Sequence, residues 1–263
     1  MNNFTVILKK EFVQMLREYK IIWLPLVYLF LGMTQPIISY YLPSILEALG
    51  GSEGIIIDPS MAAQSGGEVL ATTLASQFDQ LGLIIIIVSM MGIVQSDKSN
   101  GMLAFILTRP VMVGSYISGK VVSNYLFIAL SVAIGYVASY FYVQFLFTSI
   151  PLADLLTALV FYLVWVLFIV GFTTMISTIF NGQGIIALIS IVFLIFCRMI
   201  VGLSPIIDSI NPASMSHYAM EVLVVGSINK SVIFSGIATL LLTIFTLSIT
   251  NNWITKKKFS NEQ

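Results

Sequence analysis

Residues 155–180 read LLTALVFYLVWVLFIVGFTTMISTIF, with no charged side chain from end to end. A helix crossing a hydrocarbon core about 30 Å thick needs roughly 20 apolar residues, and this run supplies them. The rest of the chain agrees. Of 263 residues, 58% are hydrophobic and 9% charged, with a mean hydropathy of +0.98, against roughly 25% charged residues in soluble domains. The fold class is an all-α integral membrane protein.

Outward from 155–180, the same criterion marks further spans at about 21–42, 70–95, 120–147, 185–203 and 232–253, six in all within one domain, 1–263. Asn181-Gly182-Gln183-Gly184 is the tight turn between the fourth and fifth. In the second, Leu81–Val94 is too short to cross alone. That helix must begin earlier and carry Thr73, Gln77 and Gln80 into the membrane. At i, i+4 and i+7 of an α-helix these three share a face, and polar groups at that depth face protein or a water-filled cavity rather than lipid. Two uses fit them: hydrogen bonds that hold the bundle together, or the lining of a translocation path or dimer face.

Before the first span, Phe4, Ile7, Leu8, Phe12, Met15, Leu16 and Tyr19 recur at helical spacing with Lys9, Lys10, Gln14, Arg17 and Glu18 opposite. This predicts an interfacial amphipathic helix over 1–20, its basic face toward anionic headgroups. Lys9, Lys10 and Arg17 at one end and Lys256-Lys257-Lys258 at the other place both termini in the cytoplasm of a multi-pass plasma-membrane protein. The outer segments are then Pro43 to about Glu68, Thr148–Asp154 and Ser204–Ser231. The last holds Pro205, Asp208, Pro212, His217 and Glu221 among apolar residues, which predicts a re-entrant or interfacial piece.

Catalytic chemistry finds little support. Gly114–Lys120 fits the first seven positions of a phosphate-binding loop, but Val121 stands where a Ser or Thr would ligate magnesium, and no buried strand precedes it. His217 is the sole histidine and Cys197 the sole cysteine, so no metal site of the usual kind is expected. Asp208, His217 and Glu221 read as a solvated loop, and Cys197 as a buried small hydrophobe. Arg198 is the one basic residue well inside a span. About six residues from the outer end, it can snorkel to the headgroups, which is the favoured reading, or pair with Asp79.

Between the second and third spans lies Asp97-Lys98-Ser99-Asn100-Gly101-Met102-Leu103-Ala104-Phe105-Ile106-Leu107-Thr108-Arg109-Pro110, followed by Gly119-Lys120. A helix of about two turns here, stopped by Arg109-Pro110, would offer Leu103, Phe105, Ile106 and Leu107 to a groove on a soluble partner. This segment resembles the cytoplasmic loop of the ABC-2 type permease family, the six-span membrane subunits of ATP-binding-cassette exporters, and the resemblance extends over essentially the whole chain. It implies a coupling helix at Gly101–Pro110, contacting the ATPase subunit through Gly101, Leu103, Phe105, Ile106, Leu107, Arg109 and Pro110. It also makes the N-terminal helix an elbow helix and Ser204–Ser231 the outer re-entrant segment.

The implied partners are two ATPase subunits, a second permease copy or related permease, the bilayer, and a peptide or hydrophobic substrate; no nucleic acid is expected. ATP and magnesium would bind the ATPase, with no cofactor on this chain. Ile22-Trp23-Leu24-Pro25, Gly32-Met33-Thr34-Gln35-Pro36 and Tyr40-Tyr41-Leu42-Pro43 are similar to a Gram-positive subgroup of small exporter permeases that includes those expelling phenol-soluble modulins. This implies an amphipathic peptide cargo. A non-transporting immunity or sensor protein leaves the apolar, Pro-terminated helix unexplained. A secondary transporter would show inverted symmetry and mid-depth carboxylates, and the sequence has neither.

Overall fold

The 155–180 run forms the centre of the molecule. In a computed structural model that describes residues 3–48, 64–108, 112–227 and 231–260, it lies within helix α8, Leu152–Ile179. Tyr162, Trp165, Val166, Ile169 and Val170 are buried there. Around α8 pack α4 (Leu83–Met90), α7 (Val113–Leu146), α9 (Gln183–Met199), α11 (Ser214–Val225) and α12 (Ser231–Ser260). The remaining helices are α1 (Asn3–Arg17), α2 (Lys20–Ala48), α3 (Gly66–Thr72), α5 (Gln95–Ser99), α6 (Met102–Leu107) and α10 (Pro205–Ile210). Every regular element among the described residues is helical.

Among the described residues, five stretches are long and apolar enough to cross a membrane: Lys20–Ile45, Gly66–Ser99, Val113–Leu146, Leu152–Ile179 and Ser231–Lys256. The expected span at 185–203 is shorter. Helix α9 has 17 residues, about 26 Å at the usual rise. It stops because Gly202 turns the chain with φ +86°, a conformation that costs glycine little. Asp208 Oδ1 then accepts the Gly202 N–H at 2.9 Å.

Helices α2 and α7 meet through glycine. A Cβ on Gly32 would come within 2.0 Å of the Gly135 carbonyl oxygen, and one on Gly135 within 2.3 Å of the Tyr28 carbonyl oxygen. Close backbone approach of this kind is how apolar helices gain dispersion contact in lipid, where helix association gains nothing from expelling water.

The second span departs most from expectation. It begins at Gly66, with Ser65 and Glu68 forming a reciprocal capping box, the Ser-x-x-Glu pattern that satisfies two orphan N–H groups. Residues Thr73–Gly82 are then wound as a π-helix, whose i→i+5 bonding appears in the Leu83 N–H bond to Phe78 O. Tyr28 on α2 donates its hydroxyl to Gly82 O at 2.8 Å. Because π winding advances each residue by a smaller angle than α winding, Thr73, Gln77 and Gln80 are dispersed. Thr73 is buried, receiving Ser139 Oγ at 3.3 Å; Gln77 is half-buried, donating to Gln35 Oε1 at 3.3 Å; Gln80 is exposed.

Candidate functional site

Two charged clusters mark the two ends of the bundle. At the end carrying α1, Lys120 is 1% exposed and sits between two carboxylates, 2.8 Å from Glu11 Oε1 and 3.0 Å from Asp97 Oδ2. Tyr116 donates its hydroxyl to Asp97 Oδ2 at 2.7 Å, and Lys10 Nζ reaches Asp97 Oδ1 at 3.5 Å. Lys120 Nζ also lies 5.5 Å from the Tyr116 ring centre. Two cations balance two anions here. Such a knot holds α1, α5 and α7 together, since burying any member alone costs several kcal/mol.

The expected third span thus starts seven residues too late. Helix α7 begins at Val113, so Lys120 lies one face into the bundle rather than in a cytoplasmic loop. Asp97 likewise points inward, 5% exposed. Of the charges that make 97–120 look like a contact patch in sequence, Asp97 and Lys120 are spent on each other and on Lys10 and Glu11. Glu11 was the missed partner, and its signal is visible: it lies four residues after Ile7 and four before Met15, a carboxylate in the middle of the apolar stripe.

Residues around Asp97 are also bolted to the opposite side. Ser177 Oγ accepts the N–H groups of Val94 and Gln95 at 3.2 and 3.1 Å, and donates to Met91 O at 3.0 Å. It thereby patches the backbone where α4 ends. Gln95 donates to Asn181 O at 2.8 Å and accepts from Gln183 at 3.0 Å. Lys98 caps α8 by donating to the carbonyls of Thr178 and Phe180, the positions where orphan C=O groups attract a cation.

Just beyond comes α6. Gly101 enters it with φ +70°, Leu103 is buried, Ile106 is half-buried against the core, and Met102 and Phe105 are exposed at 40% and 57%. Of the predicted contact residues, then, Leu103 faces the bundle and Phe105 faces outward. The Leu107 side chain, Arg109 and Pro110 lie outside the described residues.

At the other end, Asp79 is buried in the π segment. Its Oδ2 accepts Arg198 Nε at 2.7 Å and the Ser216 hydroxyl from α11. Arg198 is therefore paired with Asp79 rather than extended to the headgroups, and its Nη2 lies 3.5 Å from Met220 Sδ. The reason is distance: the π segment and α11 bring a carboxylate and a hydroxyl within its reach. Within 204–227, α10 lies against α12 with no residue of its own buried, while α11 packs on α8 and α3, with Ser214, Met215, Ser216, Ala219 and Val222 buried and His217 exposed. Asn211 Nδ2 donates to Cys197 O at 2.7 Å, and Cys197 is a buried free thiol. No cluster of three or more His, Cys, Asp and Glu suited to a metal occurs among the described residues.

This helical architecture accords with what the sequence matches. The model of the ABC-2 family transporter protein covers residues 5–255. The chain belongs to that family. It is also similar to an uncharacterized transmembrane protein, YxlG, of Bacillus subtilis (strain 168), with 34% identity over 245 residues, covering 92% of this chain and 94% of that one. As a member of the ABC-2 family it is a multi-pass membrane permease of an ABC transporter, a class of membrane subunit that works with an ABC ATPase.

Proposed function

We propose that this chain is the export permease of a peptide or hydrophobic-compound transporter, crossing the plasma membrane six times with both termini in the cytoplasm. It pairs with a second permease, and two separate ATPase subunits bind ATP and magnesium. The observation that carries this reading is α6: a short apolar helix, exposed at Met102 and Phe105, rooted through Asp97 and Lys98 in both sides of the bundle. A helix presented this way fits a groove on a partner. Closure of the ATPase dimer moves α6, and its fastenings pass the motion to α1 and α7 on one side and α8 and α9 on the other. Gln77, Gln80 and Arg198 lie toward the path or dimer face, with exposed Gln80 at membrane depth calling for a protein or water neighbour.

The test is copurification of the partner ABC ATPase from the native host with Phe105→Glu and Met102→Glu variants. Loss of the ATPase with a normally folded permease is expected. Undiminished capture by both variants would remove α6 as the docking element.

A further inference from the structure

A cavity of about 300 Å³ lies beside the charged knot, between α1, the start of α2, the α4–α5 junction, α7 and the start of α9. Its polar lining is rich in acceptors. Glu11 and Glu18 bring carboxylates. Gln14, Asn124 and Gln183 each spend an amide N–H elsewhere, on Glu18, Lys120 O and Gln95 respectively. Each keeps a second N–H, and no protein donor among the described residues reaches their amide oxygens. Ser89 and Ser96 use their hydroxyl hydrogens on the Ile86 and Gly92 carbonyls, which leaves lone pairs.

The one cation in the lining, Lys20, already sits on Glu18 at 2.6 Å, and Glu11 is held by Lys120. Burial works against the Glu18 anion, but the Lys20 and Gln14 bonds outweigh it and keep its pKa below the usual carboxylate range. An acceptor-rich, carboxylate-bearing cavity is complementary to a group with several donors and no acceptor, and among biological groups that is a primary ammonium. The depth is set by Lys20 and Trp23 at the start of α2, residue types that settle at headgroup level. Trp23, Met15 and Val88 supply an apolar flank along which an alkyl chain can lie.

We propose that this cavity binds the primary ammonium group of an amphiphile standing in the inner leaflet, its chain running along Trp23 and Val88. The inner side rests on the topology proposed above, whereas the ammonium site itself does not.

The test is binding of radiolabelled dodecylamine to the full chain in phosphatidylcholine nanodiscs, with empty nanodiscs as blank. Saturable binding is expected, displaced by unlabelled dodecylamine at least tenfold better than by dodecyltrimethylammonium, dodecanol or dodecyl sulfate. Glu18→Gln should weaken it about tenfold, and Asn124→Leu, as a second variant clear of the ion pairs, severalfold. Equal displacement by dodecanol, or binding unchanged in both variants, overturns the site. Adding phosphatidylethanolamine to the discs distinguishes the source: competition assigns the ammonium to a lipid headgroup, its absence to a cargo amine, and either supports the site. Failed binding with ATPase copurification intact would dismiss this site and leave the permease reading standing.

Discussion

Asp97 and Lys98 are adjacent in sequence and grip opposite sides of the protein: Asp97 binds Lys120 of α7 at 3.0 Å, and Lys98 binds the Thr178 carbonyl at the end of α8 at 2.9 Å. A short helix turn with one hand on each half of a bundle cannot shift without moving both. That is the geometry a mechanical input requires, and it sets what substitutions here should do.

Lys120→Met leaves Glu11 and Asp97 buried without their shared cation. The expected cost is about 3–5 kcal/mol, the size of breaking one side of a buried pair. Lys120→Met with Asp97→Asn should recover part of that loss, because the uncompensated charge is gone. Thermal unfolding of the detergent-solubilised chain reads both; a double variant no better than the single would mean the two residues are not coupled.

Lys98→Met removes the cap on α8. Hydrogen bonds to charged groups are worth about 1.5–3 kcal/mol each, so a folded but looser protein is expected. The ATPase should still copurify, while transport or permease-dependent change in ATPase rate falls. A variant that transports at the normal rate would show that α8 receives no motion through Lys98.

Tyr28→Phe takes the hydroxyl from Gly82 O. The Gly82 carbonyl, at the N-cap of α4, keeps its helical bond but loses this second one, at a cost of about 0.5–1.5 kcal/mol, and the π segment should open more often. Hydrogen exchange over residues 73–83 should quicken relative to α8. Unchanged exchange there would mean that Tyr28 packs beside the π segment without holding it.

Much of this architecture is legible in the chain. Spans announce themselves because lipid demands long apolar helices, and an apolar run such as 155–180 has no other use. The break between α8 and α9 is legible at Asn181-Gly182, although Gln183 and Gly184 open α9 rather than the turn, and α6 is legible as a short apolar group after Asn100-Gly101. What the sequence hides is pairing across distance. Asp79, 119 residues from Arg198, stands in the sequence only as the alternative to snorkelling, and it is the fold that brings the two within reach. The π winding is likewise unreadable from periodicity, since the Tyr28 hydroxyl that bonds its last carbonyl comes from another helix. Two signals were present and missed: the carboxylate of Glu11 inside an apolar stripe, and the Ser65–Glu68 capping box that starts the second span.

Helix α9, about 26 Å long, is shorter by about 4 Å than the hydrocarbon thickness it meets on the six-span topology. Bilayers respond to such a deficit by thinning locally, at a cost of fractions of a kcal/mol per Å. The deficit falls beside Arg198 and Asp79, so acyl-chain length bears on the pair that joins α9 to the second span. On the proposed six-span topology, thinner and thicker bilayers should therefore load this corner of the protein, remote from α6, differently.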